Sequence, residues 1–150
     1  MTVRTIVGFV AAFPSDREGD GAPAGRLLAE FIATNLRSTG FNLLGPNERQ
    51  GWAWDMSATK DSITVNTTVG LVDDMESTPP RQWLVTNDYT VSIWNRIFGS
   101  RSQHEQRDRS IRRYCEAIQK IMESDGRFSQ ILWSNKATFD RPGDSPGYSP

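Results

Sequence analysis

Only one cysteine and one histidine occur in the 150 residues. A lone cysteine cannot close an internal disulfide, and one cysteine with one histidine cannot complete a Cys/His zinc site. No run of about 18 apolar residues is present, so no membrane-spanning helix is encoded. Charge of one sign is lacking too. The 17 basic and 18 acidic side chains leave a formal charge of −1, which excludes a globally basic nucleic-acid binder and allows only local patches. The apolar run Thr5–Phe13 has one Arg before it, contains Gly8 and lacks a cleavage-site pattern. It reads as a buried strand rather than a signal peptide, and a cytoplasmic protein without membrane attachment is expected.

What is there suits one ordinary domain. With 37% hydrophobic residues, a chain of this length can remove roughly 68–70% of its unfolded surface from water. Residues 1–139 read as a single α+β domain, and the Pro-, Gly- and Ser-rich residues 140–150 as a disordered tail. Leu27, Leu28, Phe31, Ile32 and Leu36 recur at helical spacing over Ala24–Thr39, with Pro23 ahead and Gly40 as the stop. A second stripe of Ile111, Tyr114, Cys115, Ile118, Ile121 and Met122 predicts another amphipathic helix, ended by Asp125-Gly126.

Strands fill the space between. Phe41–Leu44 is a short strand ended by Gly45-Pro46, and Trp52, Trp54, Met56 and Ala58 alternate as the inward face of the next. Ile63, Val65, Thr67, Val69 and Leu71 line one face of its hairpin partner, the connection being too short for a parallel crossover. Trp83, Val85, Tyr89, Val91 and Ile93 share a parity that Asn87 interrupts. This stretch is either one strand with a buried, partnered Asn, the preferred reading, or a hairpin turned at Asn87-Asp88. Phe128, Ile131, Leu132 and Trp133 suggest a final strand. The economical architecture is a mainly antiparallel sheet with both helices packed on one face, an α+β fold. The first strand–helix–strand unit could add a parallel crossover.

The chemistry-bearing residues do not assemble a recognisable catalytic set. Cys115 lies inside an apolar stripe, and His104 in a polar run has no nucleophile–base spacing with it. Gly19, Gly21 and Gly25 between a strand and a helix suggest a phosphate loop, and hence a small nucleotide- or ligand-binding enzyme. The Gly-Lys-Ser/Thr signature and the dinucleotide glycine spacing are both missing. The segment Arg96–Arg113 offers a phosphate- or RNA-binding alternative through Arg107, Arg109, Arg112 and Arg113. No stacking-aromatic motif accompanies it, and Glu105→Arg109 and Asp108→Arg112 spacings equally fit a solvated helix face, so nucleic acid is not favoured as a partner. Asp73, Asp74 and Glu76 could hold a hard cation but lack the ligand spacing of a calcium loop. No cofactor or metal is expected.

Five tryptophans are unusual at this length. Trp52, Trp54 and Trp133 read as core, whereas Trp94 falls on the parity opposite Trp83 and points outward. Residues 1–95 carry seven basic and eleven acidic side chains, and residues 96–150 ten and seven. The acidic part contains Asp73, Asp74 and Glu76 on a loop restricted by Pro79 and Pro80, a candidate for steering a basic partner, with Trp94 supplying contact area.

In layout, Ala24–Phe41, Gly51–Met56 and Arg127–Trp133 resemble small uncharacterised bacterial α+β proteins of the toxin-immunity kind. That resemblance implies a non-catalytic, protein-binding domain, an immunity-type inhibitor whose partner is a basic toxin domain. It carries no motif and transfers no functional residue.

Overall fold

A computed structural model describes residues 3–13, 23–61, 63–72, 80–89, 101–135 and 147–150. The elements in chain order are β1 (Ile6–Ala11), α1 (Arg26–Ser38), β2 (Asn42–Arg49), β3 (Ala53–Lys60), β4 (Ile63–Leu71), β5 (Arg81–Tyr89), α2 (Arg101–Glu123) and β6 (Phe128–Ser134). The strands form one sheet in the order β2-β3-β4-β5-β1-β6, every neighbouring pair antiparallel. The fold is α+β, as the two helical stripes and the intervening alternation predict.

Alternation decides which side of the sheet is dry. Trp54, Met56 and Ala58 on β3 pair with Val69, Thr67 and Val65 on β4, and Val69 continues through Val85 and Val7 to Trp133. Thr67 apart, these side chains join Leu28, Ile32 and Leu36 of α1 and Ile111, Tyr114, Cys115, Ile118 and Met122 of α2 in one buried cluster. Both helices therefore lie on the same face. The crossover expected after β1 takes a wider form: β1 and β2 run in the same direction but have three strands between them, so no parallel pair forms.

A chain of three polar contacts runs from α2 into the sheet, with Tyr114 as its α2 member. Asn87 is buried mid-strand, which makes β5 continuous through this position and rejects a hairpin turned there. Thr67 Oγ1 donates to Asn87 Oδ1 at 2.8 Å, so the Tyr114 hydroxyl, 2.6 Å away, must donate to Thr67. Asn87 Nδ2 donates to the Thr5 carbonyl at 3.0 Å. The polar residue that breaks the apolar parity of β5 is thus fully engaged, as burial demands.

Two strand boundaries differ from expectation. β2 runs on past Gly45-Pro46 to Arg49, its pairing with β3 shifting register between Leu44 and Asn47, because an edge strand needs ladder donors on one side only. Trp52 belongs to the β2–β3 turn, where its N–H bonds the Arg49 carbonyl at 3.1 Å, so the alternation of β3 starts one residue later. Residues 140–146 of the expected disordered tail lie outside the described residues. Gly147, however, exchanges two backbone hydrogen bonds with Trp133, at 2.7 and 2.8 Å, along the edge of β6.

Candidate functional site

The single thiol and imidazole lie on the same helix but do not meet. Cys115 is fully buried, while His104 is exposed eleven residues earlier, about 16 Å along the α2 axis at 1.5 Å per residue. Burial pushes the Cys115 thiol up to about 12 and raises the Tyr114 phenol further. Both groups are neutral in the folded protein, whereas in the unfolded chain they ionise near about 8.5 and 10. Their contribution to stability is therefore complete below about pH 8 and declines as pH rises through the unfolded thiol value towards 12. We expect the urea midpoint to fall between pH 8 and 11, less so in Cys115→Ala, and native thiol labelling at pH 8 to be limited by opening of the fold. Rapid stoichiometric labelling of native protein would contradict this burial.

The arginines of α2 do not converge. Arg107 is half-buried, its shielded Nη1 without a partner among the described residues, and Arg109 Nε reaches its own helix at the Glu105 carbonyl, 3.4 Å away. Arg112 lines a groove with Arg4, Lys120 and Glu123, whereas exposed Arg113 lines another, beside Phe41 and Lys60. Of the glycine loop, Gly19 and Gly21 lie outside the described residues. Gly25 is the residue before α1, at φ +106°, where a Cβ would stand 2.8 Å from Trp83 Cζ3. Close packing and backbone conformation account for this glycine without a phosphate. Asp73, Asp74, Glu76 and Trp94 all lie outside the described residues. Among the described residues, no three His, Cys, Asp or Glu side chains gather as metal ligands. No described helix is long and apolar enough to cross a membrane.

The arrangement that stands out is on the opposite face of the sheet, which no described helix covers. Along β2–β4 this face is polar: Ser57 Oγ donates to Asn66 Oδ1 at 2.8 Å, and Thr68 Oγ1 donates to Asp55 Oδ1 at 2.6 Å. Arg49 reaches both Thr68 Oγ1, at 3.2 Å, and Asp55 Oδ1, at 3.4 Å, and its guanidinium lies 5.6 Å from the Trp52 ring centroid. Trp52 in turn lies over Gly70, 3.6 Å from where a Cβ would be, and remains 56% exposed. Glycine at 70 is what lets a large ring approach the strand.

From Trp52 the face turns apolar. Gly70 pairs with Leu84, Leu84 with Gly8, and Gly8 with Leu132. Beside that row, Gly8, Val10, Val72, Leu84 and Leu132, with Gln82 and Gln130, line a groove of about 450 Å³. Val72 is 57% exposed. The pairing of β1 with β6 shifts register here, and Gln130 at φ +52° carries the bulge that sets its side chain at the groove. Reading Trp52 as core concealed this surface. The one available signal was Gly51, at φ +78°, which marks a turn where strand alternation had been extended. Compared with known proteins, the chain matches no family model, no curated protein and no solved structure.

Proposed function

We propose that this chain is a non-catalytic, cytosolic protein-binding domain that engages its partner through the open face of the sheet. The observation that carries the reading is Trp52, an exposed ring braced by Gly70 and Arg49 and adjoining an apolar groove. Tryptophan and arginine are the side chains most enriched at binding hot spots, and a ring held in place loses little entropy on docking. A flat sheet face with a shallow groove suits a protein ridge better than a small molecule, which favours deep enclosure. A lone free thiol agrees with a reducing compartment.

The partner's chemistry follows from charge. Residues 1–95, which supply five of the six strands, carry eleven acidic against seven basic side chains. A basic domain presenting an apolar ridge would be complementary to a segment of that net charge, and a cationic toxin domain neutralised by an immunity-type inhibitor is one case. Asp73, Asp74 and Glu76, close in sequence to Val72 at the groove, would add to that steering.

Comparative capture tests the reading. A basic protein retained by the wild type should be lost by Trp52→Ala and by Leu84→Asp, and kept by Arg113→Ala, which alters the helix side. The expected loss of affinity is about 30-fold or more for Trp52→Ala. Equal retention by all three correctly folded variants would remove the open face from the interaction.

A further inference from the structure

Arg81 opens β5 on the helix-bearing face of the sheet, the parity it shares with Trp83 and Val85. It is only 6% exposed, yet among the described residues neither Nε nor Nη1 has a hydrogen-bond partner. A guanidinium does not lose its proton in proteins, so burial cannot be relieved by neutralisation as it could for lysine. Removing an unpaired cation from water is among the costliest arrangements a fold can hold, and buried charges are accordingly paired.

Among the described residues, the strands on the β1 side bring no acidic side chain opposite Arg81. Arg81 pairs with Ala11 on β1, and Ala11 pairs with Phe128 on β6, an alanine and an aromatic ring in succession. Two residues along β5, the Trp83 ring seats Gly25, so α1 begins at this same end of the sheet. The first turn of α1 contains no acidic side chain, and its dipole adds partial positive charge where Arg81 already supplies a full one. The buried guanidinium and the start of α1 thus lie toward the same end of the sheet, and a negative group beside Arg81 would relieve its charge.

We propose that Arg81 is the binding residue of an oxyanion site at this corner, taking a phosphate-type or carboxylate group whose paired oxygens match Nε and an Nη of the guanidinium fork. Bidentate pairing of this kind satisfies the two nitrogens that now lack partners. The site is on the opposite face of the sheet from Trp52 and the groove, so an anionic ligand and a protein partner could be held at once. An anion bound only by the folded chain stabilises it by mass action, and thermal stability is the direct readout.

The test is a melting series at constant ionic strength with inorganic phosphate, sulfate or acetate as the varied anion. Wild type should gain roughly 5–10 °C once the effective anion is about a hundredfold above its Kd. Response to phosphate and sulfate alone assigns a tetrahedral oxyanion, and response to acetate assigns a carboxylate. Arg81→Met should melt at a temperature independent of the anion. Should that variant fail to fold, the arginine Nε–Hε resonances of the wild type serve instead: one should shift saturably with phosphate and be missing from Arg81→Lys. No anion response in the wild type, or equal responses in wild type and Arg81→Met, would overturn the proposal.

Discussion

Replacing Trp83 with alanine should destabilise the fold by about 3–5 kcal/mol, the range for removing a buried tryptophan from a core. The ring is almost completely buried, its strand neighbours on the same face are Leu71 and Phe9, and its Nε1 donates to the Ala11 carbonyl at 3.3 Å. It also carries the start of α1, because Gly25 rests on it. Truncation therefore opens a cavity and strips the carbonyl of its partner in one step. In urea the midpoint should fall with the slope unchanged, and the melting temperature should drop by roughly 6–20 °C for a chain of this size. A loss under about 1 kcal/mol would mean that α1 is seated elsewhere.

Gly25→Ala is expected to cost about 2–4 kcal/mol from two sources, backbone strain at positive φ and a steric clash. The φ of +106° disfavours any L side chain, and the new Cβ would come within 2.8 Å of Trp83 Cζ3, which the close-packed ring cannot easily yield. The two substitutions touch, so their effects should not add. In a Trp83→Ala background the clash disappears and only the backbone strain remains, giving a coupling of roughly 1–2 kcal/mol in a double-mutant cycle. Strict additivity, measured by urea unfolding of all four proteins, would separate the glycine from the ring.

Periodicity made much of the helix-bearing side legible. The α2 stripe of Ile111, Tyr114, Cys115, Ile118, Ile121 and Met122 is buried at every position, because only one face of a helix can meet a sheet. Val65, Thr67 and Val69 are buried on β4 for the equivalent reason at period two, and the β3–β4 hairpin follows from a connection too short for anything else. The named contact residues Asp73, Asp74, Glu76 and Trp94 fall outside the described residues, and of the helix arginines Arg112 and Arg113 line different grooves.

Sequence by itself determined the α+β class, the α2 stripe, the α1 stripe apart from Leu27, which is exposed, and the inward parity of the central strands, since these depend on spacing within a segment. Tertiary structure alone decided the strand order, with β1 inserted between β5 and β6, since pairing partners far apart in the chain leave no local signature. It also decided the fate of single residues whose neighbours come from elsewhere. Asn87 is tolerated in a strand because Thr67 and the Thr5 carbonyl meet it, and Trp52 lies outside because Gly70 on another strand offers it a flat seat. Arg81 looks in sequence like any surface arginine after a proline pair; only its packing at the start of β5 beside β1 buries the charge, with Nε and Nη1 lacking a partner among the described residues. Burial energies depend on what surrounds a group, and that is settled by chain segments the local pattern cannot name.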